Sequence, residues 1–261
     1  MQADEYSKLG EAGWYEAQLD GFTLDFYYRP SDTKTAYIIS PGWINRVVNP
    51  YPYFQRIRLF DELDGVGISL ADPTQQLAEN VQIGWFMGTT AIDYTKTTAA
   101  FLEGLLKHLG IPNNRALFFG TSAGGFSSLA FATYVKGSRA LAGNPQTEIL
   151  RFHAIGELAK AIQASFRDMT TIKIQETMPW RVSIAELWKR EAYVPPVTVL
   201  INTYDDWHMS QHIMPLVAGL ELMDVAQGMD IRFFSDEPAG HNPPSPARFV
   251  PIMNEIMAAA E

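Results

Sequence analysis

The chain contains no cysteine, which excludes disulfides and thiolate metal sites. It has no unbroken apolar run of about 18 residues, so no segment reads as a membrane-spanning helix. Positive charge is scarce: 20 Lys and Arg stand against 29 Asp and Glu, a net charge of −9 at pH 7. No basic run interrupts that balance, and without clustered Lys and Arg to meet phosphates, nucleic acid is excluded as a partner. The opening stretch, MQADEYSKLGEAGWYEAQ, is polar and acidic, unlike the basic-then-apolar start of a signal peptide, and predicts a cytoplasmic protein. Internal repeats, low-complexity tracts and long linkers are all missing.

What is present suits a globular protein with a substantial core. Hydrophobic residues make up 47% of the 261 and charged residues 19%, which predicts one domain over residues 1–261. Two strand-like runs, 14–19 and 22–28, are joined by Asp20-Gly21, a two-residue hairpin signal. Further strands are expected at 36–39, 66–71, 116–119, 140–142, 197–201 and 231–234. Helical spacing of apolar residues predicts helices over 54–63, 91–109 and 246–259, and another after residue 125. A hairpin followed by alternating strands and helices is the pattern of a mostly parallel sheet wrapped by helices. The exception is 147–195, a long, largely helical insertion before the last two strands.

The stretch RALFFGTSAGGF, residues 115–126, organises the rest. An apolar run stops at Gly120, and a helical pattern resumes after Gly125. Between them Gly120-Thr121-Ser122-Ala123-Gly124 fits G-x-S-x-G, a sharp strand-to-helix turn with a serine at its tip. Small residues on either side are needed because larger ones would collide with the strand or the helix. A serine nucleophile needs a base that can take its proton at neutral pH, and histidine in turn needs a carboxylate to fix its tautomer. Asp205 and Asp206 follow the expected strand at 197–201, and His241 follows the one at 231–234.

By this elbow and the order serine, aspartate, histidine on successive strands, the chain resembles the α/β-hydrolase family over nearly its whole length. The resemblance implies an α/β-hydrolase fold: a mostly parallel sheet opened by an N-terminal hairpin, with helices on both faces. It implies Ser122 as nucleophile, His241 as general base, and one of Asp205 or Asp206 as the orienting acid, with Asp206 preferred by its offset from the strand. It also implies an oxyanion hole from the backbone N–H groups of Ala123 and Trp43. Pro41-Gly42 stands where the family has His-Gly; proline has no N–H, but the donor required belongs to the following residue. The insertion at 147–195 falls where many members carry a lid.

Aromatic residues after the third and fourth strands, Trp43 and Trp85 among them, are expected to face substrate, because ligands of such sheets bind at the carboxyl ends of the strands. Gln146, in Asn144-Pro145-Gln146, is expected near the serine, and His208 near the acid. Ser-Ala-Gly-Gly-Phe followed by Asn-Pro-Gln is also similar to hydrolase-like proteins of bacterial surface-polysaccharide assembly. Asp205, His208 and His212 have metal-ligand spacing but lack a helix-borne glutamate between the histidines; neither metal nor cofactor is expected. The function implied is a serine carboxylesterase acting on a small-molecule or glycan ester. The alternatives are an acyltransferase with a hydroxyl acceptor and a non-catalytic binding or assembly member of the fold.

Overall fold

The computed structural model describes residues 1–2, 5–221, 223 and 229–260. Among these residues eight strands form one sheet: β1 (Gly13–Leu19), β2 (Phe22–Arg29), β3 (Ala36–Ile39), β4 (Val66–Leu70), β5 (Ala116–Thr121), β6 (Arg139–Gly143), β7 (Val197–Asn202) and β8 (Met229–Phe234). Their spatial order is β1-β2-β4-β3-β5-β6-β7-β8. β1 and β2 pair antiparallel with Leu19 opposite Phe22, across Asp20-Gly21 with Gly21 at φ 81°. β2 is antiparallel to β4, and every other pairing is parallel.

Among the described residues, eight α-helical segments accompany the sheet: α1 (Tyr94–His108), α2 (Ala123–Tyr134), α3 (Ile155–Ser165), α4 (Thr171–Thr177), α5 (Ile184–Glu191), α6 (Asp206–His208), α7 (Met214–Glu221) and α8 (Pro246–Ala258). A π-helical turn, Met209–Ile213, joins α6 to α7. Because successive strand side chains point to opposite faces, the central strands feed two separate cores. Ile38, Phe118, Ala140, Ala142 and Val199 pack with α1 and α2 on one face. Tyr37, Ile39, Leu117, Phe119 and Leu141 pack with α8 on the other. Helices therefore cover both faces, as the strand-helix alternation predicts.

The helix expected over 54–63 is instead a 3-10 turn, Ile57–Glu62, with residues 54–56 outside it. Arg56 adopts φ 59° and ψ 26°, a left-handed conformation that a right-handed helix cannot contain. Within the insertion, α5 is built into the body: Ile184, Leu187 and Trp188 are buried, and the Trp188 indole N–H donates to Thr133 Oγ1 of α2 at 2.9 Å. Arg181, just before α5, donates to the backbone carbonyls of Met87, Thr89 and Ile92. Among the described residues, no helix is long and apolar enough to cross a membrane.

Candidate active site

The turn between β5 and α2 brings backbones so close that two glycines are required. A Cβ on Gly120 would lie 2.2 Å from the Gly124 backbone, and one on Gly124 would lie 2.4 Å from the Ser40 carbonyl oxygen. The first clash is within the turn; the second ties α2 to the end of β3. At the tip, Ser122 is held at φ 56° and ψ −120°, a region sparsely populated by residues with side chains. The strain keeps its side chain at the mouth of the turn, where it is partly exposed.

His241 Nε2 lies 3.0 Å from Ser122 Oγ, and His241 Nδ1 lies 2.7 Å from Asp205 Oδ2. A carboxylate can only accept, so Nδ1 carries the hydrogen and Nε2 is free to accept the serine proton. The loop carrying His241 is braced from two sides. Asn202 Nδ2 donates to the carbonyls of Asp236 and Gly240, at 2.7 and 2.8 Å. Asn144 Nδ2 donates to those of His241 and Asn242, at 3.3 and 3.4 Å. Both asparagines are fully buried.

The preference for Asp206 as the carboxylate facing His241 is corrected by this geometry. Asp205 is the N-cap of α6, its side chain turned back to accept from the His208 N–H. Asp206 is the first residue of that helix and is exposed. The one-residue difference is a capping effect: the cap residue turns its side chain inward over the first turn, and the next position points away.

His208 makes Asp205 a shared acceptor. Its Nδ1 lies 2.9 Å from Asp205 Oδ1, while His241 takes Oδ2. Burial alone would raise the Asp205 carboxyl, but the hydrogen bonds from His208 and His241 outweigh it and hold the group well below the usual carboxylate range. His208 itself is buried, and burial lowers its pKa. The nitrogen it leaves over, Nε2, has no hydrogen-bond partner among the described residues. Potential ligand atoms of Asp205, His208 and His241 lie within 4.8 Å of one another. They are the residues that could hold a metal ion, but here both carboxylate oxygens are engaged by imidazole N–H groups.

Gln146 lies at the serine, as expected from its position after β6. Its Nε2 donates to Ser122 Oγ at 3.2 Å, and its Oε1 accepts from the Trp85 indole N–H at 2.5 Å. An indole nitrogen is a donor only, so Trp85 fixes which end of the amide faces Ser122. Trp85, expected to face substrate, is 1% exposed and touches the site through Gln146. Trp85 and Phe86 both sit at positive φ, 51° and 55°. Buried Asp72 anchors them by accepting from the Phe86 N–H at 3.0 Å and the Thr74 N–H at 2.9 Å.

Trp43 remains half exposed on the loop after β3. Gln55 clasps that loop, accepting from the Gly42 N–H at 3.1 Å and donating to the Trp43 carbonyl at 3.3 Å. Gly42's donor is thus occupied. Ala123, as the first residue of α2, has an N–H that no intrahelical carbonyl can accept. The side chains that residue reasoning missed are Asp72 and Gln55, which act on loops, and Arg56, which donates to Thr121 Oγ1 at 2.8 Å, one residue before Ser122.

No family model matches the chain, and no curated protein matches it in sequence. Solved structures do match it. The capsule O-acetyltransferase of Neisseria meningitidis serogroup A is similar at a TM-score of 0.69 and 13% identity, over 97% of both chains. Acetyl xylan esterase 1 from Thermoanaerobacterium sp. JW/SL YS485 is similar at 0.63 and 15%, over 97% of this chain and 85% of that one. An S-formylglutathione hydrolase from Agrobacterium tumefaciens is similar at 0.60 and 15%, over 95% and 93%. At such identities the likeness is one of fold, and with the strand order above the fold is that of the α/β-hydrolases.

Proposed function

We propose that the protein is a serine enzyme that cleaves a carboxylic ester through an acyl-enzyme. The observation that carries this reading is the continuous path Asp205–His241–Ser122, with hydrogen-bond distances of 2.7 and 3.0 Å. His241 Nε2 takes the Ser122 proton as Oγ attacks the ester carbonyl, and the imidazolium then protonates the leaving alcohol. Asp205 keeps its charge throughout and stabilises the imidazolium. The N–H groups of Ala123 and Trp43 receive the developing oxyanion; such donors are each worth on the order of 3 kcal/mol of barrier. In the second half His241 activates water, which releases the acid and restores Ser122.

Gln146 has a part in the first step. A hydroxyl that accepts from the Gln146 amide while donating to His241 has its proton aimed at the base. Once Oγ is acylated it no longer accepts as well, and the amide becomes available to oxygen atoms of the tetrahedral intermediate.

A second reading keeps the acyl-enzyme and replaces water with an acceptor hydroxyl, on a glycan or another alcohol. The likeness to a capsule O-acetyltransferase over 97% of both chains favours it. Incubation with short-chain aryl acetates, with and without glycan acceptors, tests both readings. Acid released without acceptor supports hydrolysis, and acetylated acceptor formed at the expense of acid supports transfer. Turnover that Ser122→Ala leaves untouched would contradict both.

A further inference from the structure

Three arginines with little or partial exposure lie around the carboxyl ends of the strands, and they differ in what answers their charge. Arg181 has Asp93 at 3.9 Å and three backbone carbonyls. Arg46 donates to the carbonyls of Gln75 and Ala78, at 2.6 and 2.9 Å. Arg56 has neither kind of compensation. Among the described residues no carboxylate lies within 4.0 Å of it. Its acceptors are two neutral side-chain oxygens, Thr121 Oγ1 at 2.8 Å and Gln55 Oε1 at 3.3 Å. Those bonds use part of a fork of five N–H donors.

The position is as unusual as the charge. Arg56 holds a left-handed backbone, φ 59°, in a region few non-glycine residues occupy. Its guanidinium carbon stands 5.7 Å from the Phe119 ring centroid. Burial pushes the guanidinium down to about 10, with no neighbouring charge to oppose it; at neutral pH it stays cationic. The two side chains it touches belong to the site: Thr121 precedes Ser122, and Gln55 clasps the Gly42-Trp43 loop. A neutral side chain could brace Thr121 equally well. What the brace leaves unexplained is a partly buried positive charge with no anion beside it among the described residues, and burying charge without an anion is costly.

We propose that Arg56 is an anion subsite, receiving a carboxylate or phosphate carried by the substrate whose carbonyl Ser122 attacks. The inference rests on the serine acyl-enzyme reading. The anion belongs to either the acyl half or the alcohol half of the ester, and both present the planar or tetrahedral oxygens that a guanidinium fork pairs with in twos.

The test compares matched esters: neutral aryl butyrates, aryl hemisuccinates with the acid on the acyl half, and acetyl esters of hydroxybenzoates with the acid on the alcohol half. The native protein is expected to favour one anionic series over the neutral one in kcat/KM. Arg56→Gln should erase that preference by about tenfold to a hundredfold, chiefly through KM, and Arg56→Lys should retain part of it. The series that responds identifies the half that carries the charge. Inorganic phosphate should raise the melting temperature of the native protein and of Arg56→Lys more than that of Arg56→Gln. This readout needs no turnover, so it separates failure of the subsite from failure of the serine reading, which shows as absent Ser122 labelling. If Arg56→Gln does not fold, the phosphate response and series preference of the native protein and Arg56→Lys decide. No preference for either anionic series, or equal losses on charged and neutral esters, overturns the proposal, as does a phosphate response independent of Arg56.

Discussion

His208 lies face to face with His241, ring centroids 3.9 Å apart and planes 10° from parallel, and the two rings hold opposite oxygens of Asp205. The stack continues to His212, whose ring centroid is 4.9 Å from that of His208. One face of the proposed base is therefore covered by a second imidazole, fixed by the same carboxylate. His208→Ala should lower kcat by about ten- to a hundredfold with little change in KM, the scale seen when an orienting partner of a functional histidine is lost. His208→Asn, which keeps a donor toward Asp205, should recover part of the rate. Equal losses in both variants, or a change confined to KM, would contradict a positioning role.

The two adjacent aspartates give a clean comparison. Asp205→Asn should drop kcat by about four orders of magnitude, because the amide favours the wrong histidine tautomer. Asp206→Asn, altering an exposed helix-terminal residue, should remain within about threefold of the native rate, since surface changes of this kind have small effects. Steady-state kinetics on one ester suffice.

Gln146 and Trp85 should behave as a unit. Gln146→Ala removes the donor at Ser122 Oγ, and a loss of about a hundredfold in kcat is expected, on the scale of one oxyanion-type donor. Trp85→Phe keeps the ring but frees the amide to flip, so a smaller loss in the same direction is expected. In Gln146→Ala the added Trp85→Phe change should cost little further, and a double-mutant cycle reads that coupling.

Acid stability should respond oppositely at two buried groups. His212 accepts the Thr147 N–H at Nδ1, and burial pushes its pKa down to about 3. A depressed histidine lets the unfolded chain bind the proton first, so its contribution is full above about pH 6.5 and is lost as pH falls toward 3. Burial pushes Asp72 up to about 6. Its contribution is full below about pH 3.9 and is lost as pH rises through 6. In denaturant unfolding between pH 7.5 and 4.5, the stability gap between native and His212→Asn should therefore narrow on acidification. The gap between native and Asp72→Asn should widen, each by about 2 kcal/mol. Gaps that do not change with pH would contradict these assignments.

Much of the architecture was legible because it rests on alternation. The hairpin at Asp20-Gly21 and the strand-helix order are set by local periodicity, and the glycines at 120 and 124 by steric contact within a few residues. The pairing of Ser122 with His241 was legible from the G-x-S-x-G elbow together with the order of the residues on successive strands, through the resemblance to the α/β-hydrolases. What was not legible depends on one residue of register or on contacts distant in sequence. Asp205 and Asp206 differ only in which one caps a helix, although Asp205 three residues before His208 is itself a capping spacing. Trp85 reads as a ligand-facing aromatic until its partner Gln146, sixty-one positions away, is known. Arg56 breaks the start of an expected helix by its backbone conformation, and that no carboxylate among the described residues answers its charge is visible only in three dimensions.

The central claim is that Ser122 is a nucleophile driven by His241. Intact mass measurement after exposure to a neutral fluorophosphonate tests it most directly. One adduct is predicted, mapped to Ser122 by peptide analysis, absent in Ser122→Ala and formed far more slowly in His241→Gln. A native protein that stays unlabelled, or an adduct that forms equally well in Ser122→Ala, would contradict the account.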